Sequence, residues 1–296
     1  MSIATPASAA PRASQRRRNL FLEMLVTNGR FRFSLIVLVL VVGFAVIGPL
    51  INRHNPLFAV GGRYDPPSSA VWLGTDAIGN DVFNQLMHGI GTSLQIGVIA
   101  GLIATLIGVV IGTLSGFIGG ILDEALMGFT NIVITIPTIV ILILLSVAVE
   151  ARSLNTTALI IGITAWPWTA RAVRAQTTSL RAREHVDVAR LSGAGSLRII
   201  FFEILPYMMS YIFMAFVLQL SSGILSEATL SLLGLGPDNT ISLGKMLQFA
   251  TQGEAVRTGA YWAIIPPTVM LAVISFALLL MQSSLDEVFN PRLRKN

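Results

Sequence analysis

Blocks of nearly uninterrupted apolar sequence constrain this chain more than anything else in it. They run over residues 33–51, 94–118, 125–149, 156–174, 208–228 and 262–285. A helix needs roughly 20 apolar residues to cross the hydrocarbon core of a bilayer, and each block reaches or approaches that length. Inside lipid, every backbone N–H and C=O must be bonded within the protein, which leaves only helices or a closed barrel. A barrel would show short alternating segments instead of continuous blocks. The fold class is therefore all-α: a polytopic membrane protein with about six transmembrane helices. Composition agrees, with 53% hydrophobic and 12% charged residues where a soluble domain carries about 25% charged.

Charge sets the expected orientation. With six spans and a cytoplasmic N-terminus, 15 of the 20 basic residues fall on the cytoplasmic side. Only Arg53, Arg63, Arg152, Lys245 and Arg257 fall outside. The positive-inside rule then places both termini in the cytoplasm of a cell whose plasma (inner) membrane holds the chain. The opening "MSIATPASAAPRASQRRRN" has the composition of a disordered tail or a transit peptide. The apolar run after it is too long for a signal-peptide core and lacks a small-residue cleavage site, so residues 1–32 read as an uncleaved cytoplasmic tail.

Several chemistries are excluded or disfavoured. There is no Cys, hence no disulfide, thiolate metal site or cysteine nucleophile. His54, His88 and His185 are far apart and show no zinc-ligand spacing, so no metal site is expected. No GxxxxGK[ST] phosphate loop occurs, and "SLGKM" around Lys245 lacks both the preceding Gly and the hydroxyl. The basic residues flank spans and are not interleaved with aromatics, which argues against nucleic acid. Ionisable residues within the spans are limited to Arg171 and Arg174 at one end and Glu227 near the other. A proton relay or ion-coupled transporter or channel would need more, and internal repeats besides.

The longest expected cytoplasmic loop, about 175–207, holds "EHVDVARLSGAGSLRIIFFEILP". Ala182, Val186 and Ala189 recur at helical spacing beside a charged face of Arg183, Asp187 and Arg190. "GAG" at 193–195 then allows a turn. Leu197, Ile200, Phe201 and Ile204 form an apolar stripe, and Pro206 is expected to break or kink the chain before the fifth span. By periodicity this is either an interfacial connector lying on headgroups or a surface for a soluble partner.

Here the residues resemble a family motif, the cytoplasmic "EAA" loop of permease subunits in binding-protein-dependent ABC importers. Its acidic residue, two small residues, Gly and later Leu-Pro are matched by Asp187, Val188, Ala189, Gly193, Leu205 and Pro206, with Asp and Val for the usual Glu and Ala. After Leu35 the chain resembles the dipeptide, oligopeptide and nickel class of these permeases. "WLGTDAIGNDVF" matches one signature, "GFIGGILDEALMGFTNIVITIP" the turn between second and third spans, and "SSLDEVFNPRLRK" an Asp-Pro-Arg tail. Asn80, Gly128, Asn131 and Asn290 stand where that pattern has Arg, Arg, Asp and Asp.

The resemblance implies residues 33–51 as a first transmembrane helix, 52–93 as an extracytoplasmic segment, 94–285 as the importer transmembrane domain and 286–296 as a cytoplasmic tail. It implies no catalysis by this chain and no cofactor in it, with ATP and Mg held by two partner ATPase subunits. A second, homologous permease chain and an extracytoplasmic substrate-binding protein complete the set. Glu184, Asp187, Ala189, Gly193, Leu205 and Pro206 would couple to the ATPase. Peptides are the expected cargo, with oligosaccharides or nickel as alternatives. Glu227 is either a pathway or gate residue or a structural one, and must be hydrogen-bonded or face water. Gly108, Gly112 and Gly116 favour close helix packing over pore lining. The outer segments, 52–91 and 237–261, either dock a binding protein or cap the bundle.

Overall fold

The computed structural model describes residues 28–52 and 54–289. The basic N-terminal tail up to residue 27, Arg53, and the closing "NPRLRKN" with Asn290 lie outside the described residues. The described chain is built of helices: α1 Gly29–Ile51, α2 Val82–Ile118, α3 Gly120–Thr135, α4 Thr138–Ala148, α5 Leu154–Arg181, α6 Glu184–Leu191, α7 Ser196–Ile199, α8 Leu205–Leu232, α9 Leu243–Gln252 and α10 Tyr261–Phe289. A π turn, Ile200–Ile204, joins α7 to α8. The only extended pairing among the described residues is two isolated bridges, Ala59 with Asn80 and Thr75 with Asp81.

Four of these stretches are long and apolar enough to cross a membrane singly: α1, α2, 196–232 and α10. The third apolar run is not one rod. It breaks at Ile136–Pro137, and α3 and α4 meet at 84°, because the residue before a proline is pushed out of the helical region and Ile136 stands at φ −84°, ψ 125°. α5, at 28 residues, is long enough to span but carries Thr, Trp and Arg through its middle. α2 begins at Val82, twelve residues before the apolar run, because Asn84, Gln85 and His88 interrupt the hydrophobicity without interrupting the helix.

Local chemistry explains the starts. Asn28 accepts hydrogen bonds from the Arg30 and Phe31 N–H groups, Asp81 from Phe83, Ser153 from Thr156 and Ser242 from Lys245. Each satisfies a donor that the first turn leaves orphaned.

α2 is the central post, packed along its length against α5 and α8. The close approach is written in glycine. A Cβ on Gly108 would stand 2.6 Å from Thr169 Cβ, one on Gly112 2.5 Å from the Ala170 carbonyl oxygen, and one on Gly116 2.7 Å from the Arg174 carbonyl oxygen. The stripe Gly108, Gly112, Gly116 therefore packs α2 on α5. Further along, Gly97 and Gly101 bring the same helix against Ile224 and Leu220 of α8. α1 lies against α2 and α10.

At one end, the sequence between α1 and α2 folds into a compact cap. Asp76, 3% exposed, accepts from the Ile78 and Asn80 N–H groups, Asn80 Nδ2 and Gln85 Nε2, all at 2.8–2.9 Å. Asn80 thus fills, as an uncharged donor, the place where the family pattern has Arg. Trp262 Nε1 donates to the Thr75 carbonyl at 3.1 Å, and Arg63 to the Gly253 carbonyl at 3.0 Å. Gly74 has φ +68°, and a Cβ there would stand 2.6 Å from the Asp65 carbonyl oxygen. So the "LGTD" signature is a structural knot fastening the cap to α10.

Candidate coupling loop and central cavity

α6 lies at the other end, after a break at Ala182–Arg183 that stops α5. Val186 anchors it, fully buried in a cluster with Phe117 of α2, Val173 and Leu180 of α5, and Ile199, Ile200, Ile204 and Met208 of the next limb. One short helix is thereby set into an apolar cluster that three long ones share. Ala189 is half-buried against the same cluster, whereas Ala182 is exposed.

The helix ends in a Schellman motif. Gly193 N–H donates to the Arg190 carbonyl at 2.9 Å and Ala194 N–H to the Ala189 carbonyl at 3.1 Å, with Gly193 at φ +78°. A Cβ at Gly193 would meet nothing within 4 Å, so the glycine is there for its left-handed backbone and not for space. Gly195 has ordinary dihedrals and begins α7.

The apolar stripe expected over 197–204 divides. Ile200 and Ile204 are buried, whereas Leu197 and Phe201 are exposed. Pro206 does not break the chain: it occupies the first turn of α8, where a missing N–H costs nothing. The preceding π turn, closed by the Leu205 N–H to the Ile200 carbonyl, carries helix from Ser196 into α8 without a gap. His185 supports this limb, with Nε2 3.3 Å from the Glu203 carbonyl oxygen and its ring 4.6 Å from that of Tyr207.

Glu184 and Asp187 are exposed, and Asp187 pairs with Arg190 at 3.3 Å. Around them Val188, Leu191, Leu197, Phe201 and Phe202 are exposed, Leu191 at 89%. The loop is thus anchored below and apolar above, with charged residues between.

The turn from α2 into α3 reaches the same end. Asp123 receives a bidentate pair of hydrogen bonds from Arg174 Nε and Nη2, both 2.6 Å, and a third from the Ser115 hydroxyl. Arg171 donates to Asn131 Oδ1 at 2.6 Å, a neutral acceptor where the family pattern has Asp. Both arginines, expected at a cytoplasmic end, are engaged in holding α5 to α3.

Midway along the bundle is a cavity of about 850 Å³. The α3–α4 bend contributes Ile136, Pro137 and Thr138. α5 contributes Thr164, Trp168 and Thr169, and α8 contributes Leu218, Gln219, Ser222 and Ser226. Gln219 Nε2 donates to Thr169 Oγ1 at 2.7 Å and to the Ala165 carbonyl at 3.0 Å, fixing that wall. A second space of about 490 Å³ shares Thr138, Ser222 and Ser226 and extends to Thr229. Among the described residues, Asp286 is the one charged residue lining either.

Glu227 is elsewhere. It is fully buried and lines neither space. Oε1 accepts from the Ser231 and Ser242 hydroxyls at 2.6 Å each, and Oε2 from Ser93 at 3.1 Å. Ser242 also caps α9, and Ser93 Oγ accepts the Leu243 N–H at 3.1 Å. Sequence reasoning named Glu227 but missed its three hydroxyl partners, which lie on α2, α8 and the α9 cap, up to 134 residues away. Beside it, "SLLGLG" turns back through Gly234 at φ +81°. Arg152 donates to the Gly234 carbonyl at 3.0 Å and to Asp238 at 3.4 Å. Lys245 Nζ donates to the Pro237 carbonyl at 2.9 Å; burial pushes its ammonium pKa down, against the opposing pull of Asp238.

Residues 108–295 match the family model described as binding-protein-dependent transport system inner membrane component. The chain is 32% identical over 297 residues to the oligopeptide transport system permease protein OppC of Bacillus subtilis (strain 168), covering 99% of this chain and 96% of the relative. It is 31% identical over 264 residues to the dipeptide transport system permease protein DppC of the same organism, covering 88% and 82%. Among solved structures, the inward-facing MetNI methionine ABC transporter shares the fold, with a TM-score of 0.52 and 19% identity over 68% of this chain and 96% of that one. Family model, relatives and helical architecture agree: the chain belongs to the binding-protein-dependent transport system inner membrane components.

Proposed function

We propose that this chain is a permease subunit of a peptide ABC importer and that α6 with its glycine turn is the coupling element seated in a partner ATPase. One observation carries the reading. An exposed apolar crest, Val188 and Leu191 on α6, Leu197 on α7 and Phe201 and Phe202 on the π turn, lies over a loop whose underside is set by Val186 into a cluster shared by α2, α5 and the root of α8. A push on the crest is delivered to three long helices together, as a coupled two-state bundle needs.

In this reading Glu184, Asp187, Ala189, Gly193, Leu205 and Pro206 serve the ATPase contact or its geometry. The cavity at the α3–α4 bend is this chain's share of the pathway, completed by a second permease chain. Ser222, Ser226, Thr229 and Gln219 offer neutral polar groups suited to a peptide backbone. ATP and Mg belong to two partner ATPase subunits, an external binding protein delivers cargo, and both termini face the cytoplasm. Peptide cargo is supported by the names of the relatives; oligosaccharide and nickel have no such support.

The test is purification of the chain with its partners and reconstitution with the binding protein. Peptide-dependent stimulation of ATP hydrolysis is expected. A chain that purifies alone with no ATPase would overturn the reading, and stimulation by another solute alone would overturn the peptide assignment.

A further inference from the structure

An apolar groove of about 800 Å³ runs between α1 and the outer end of α2. It shares no lining residue with the central cavity. Along α1 it extends from Val39 to Asn52, which at 1.5 Å per residue is about 20 Å. That is the depth of one leaflet, half of a roughly 30 Å hydrocarbon core plus the edge of the headgroup zone.

The chemistry is graded along that depth. Leu40, Gly43, Phe44 and Ile47 line the deeper part, and the polar residues Asn52 and Asp81 stand at the end beside the cap. Trp72 is 68% exposed there, its ring 5.1 Å from that of Phe83, which is 5.8 Å from Phe44. An aromatic row at this level is where indole rings settle between headgroup and tail.

We propose that this groove is a binding site for one tail of a phospholipid in the leaflet beside the cap, and that Asp81 selects an amine-bearing headgroup. Among the described residues, Asp81 is the only charged side chain on the lining. One of its oxygens, Oδ1, accepts the Phe83 N–H at 2.9 Å; the other makes no hydrogen bond among the described residues and faces no basic partner there. A carboxylate so placed attracts an ammonium and repels an anionic headgroup.

Gly43 supplies the probe. A Cβ there meets nothing within 4 Å, so Gly43→Leu fills the groove without disturbing a helix contact, and leucine favours the helix over glycine. Asp81→Asn keeps the α2 cap, since asparagine caps as well as aspartate, and removes only the charge.

The experiment is native mass spectrometry of the full chain with its partner subunits, released from nanodiscs of phosphatidylethanolamine, of phosphatidylglycerol, or of an equal mixture. Wild type is expected to retain phosphatidylethanolamine preferentially. Gly43→Leu should lose the retained lipid, and Asp81→Asn should keep a lipid but lose the preference between headgroups. Ile47→Trp, which obstructs the same groove from an exposed position on α1, should repeat the Gly43→Leu result. Undiminished lipid in both obstructing variants would overturn the site. Equal retention of both headgroups by wild type, or an unchanged preference in Asp81→Asn, would overturn the role of Asp81.

Discussion

Glu227 holds three elements with one side chain. Its carboxylate takes the only proton each of Ser93, Ser231 and Ser242 has to give. Truncation to Ala would leave three buried hydroxyls without their acceptor, at about 1–3 kcal/mol for each unsatisfied group, together with a cavity. Glu227→Ala is therefore expected to lower the thermal unfolding temperature sharply and to reduce recovery of the folded chain. Glu227→Gln keeps the volume and two acceptances, and Ser93 can accept from the new amide. It should unfold within about 1–2 kcal/mol of wild type and support near-normal uptake. Loss of uptake by a fully stable Glu227→Gln protein would support the gate reading and refute the structural one. Gly193 makes a contrasting case, since no neighbour crowds it and its φ of +78° is the whole constraint. Gly193→Val should cost about 1–2 kcal/mol in the turn, leave the spans folded by circular dichroism, and weaken co-purification of the ATPase. Unchanged ATPase recovery would remove Gly193 from the coupling element.

Among the elements, the long helices were legible wherever hydrophobicity alone made them. Their ends were not. The first three turns of α2 carry the polar residues Asn84, Gln85 and His88, of which Gln85 donates to Asp76 and Asn84 to the His54 carbonyl, so an apolar count begins at 94 while the helix begins at Val82. The third run reads as one span because Pro137 lies within a largely apolar stretch; the backbone bends all the same, since proline acts on dihedrals and not on hydropathy. Pro206 shows the reverse: read alone it is a breaker, but in a first turn behind a π turn it is tolerated. The glycine stripe on α2 was readable as a packing face, and only the fold shows that its partner is α5. Gly112 is the tightest of the three, its Cβ position 2.5 Å from a backbone oxygen that cannot rotate away. Gly112→Ala should destabilise the bundle by about 1–3 kcal/mol through overpacking, and Gly112→Leu should prevent α2 from seating on α5. Both can be followed by the melting temperature of the purified chain. A Gly112→Leu protein that melts like wild type would show that the two helices do not approach closely in the membrane.

For the whole molecule, the question is how a motion at one end reaches the cavity. The proposed coupling loop rests on Val186, and the cluster around Val186 contains Phe117 of α2, Val173 of α5 and Met208 of α8. α5 and α8 are also walls of the cavity, and Gln219 bonds one to the other beside it. Toward the cap, Glu227 and the glycine contacts tie α8 to α2, so α2, α5 and α8 form a stiff core. The bent α3–α4 pair is held to that core by Asp123 with Arg174 and by Asn131 with Arg171. A rigid core with a hinged wall transmits displacement without being deformed by it. The loop can then be tested apart from the fold, because the outermost residue of its crest is almost wholly exposed. Leu191 is 89% exposed, so Leu191→Asp should change the stability of the isolated chain by no more than about 0.5 kcal/mol. At a partner interface the same change places a charge in an apolar contact, which costs several kcal/mol where it is fully desolvated. The expected outcome is a protein that melts as wild type does but fails to retain the ATPase and transports nothing. Val186→Asp should instead unfold the loop and lower the melting temperature. If Leu191→Asp retains the ATPase and transports normally, the crest is not the docking face, and the apolar surface of α6 would belong to the membrane interface instead.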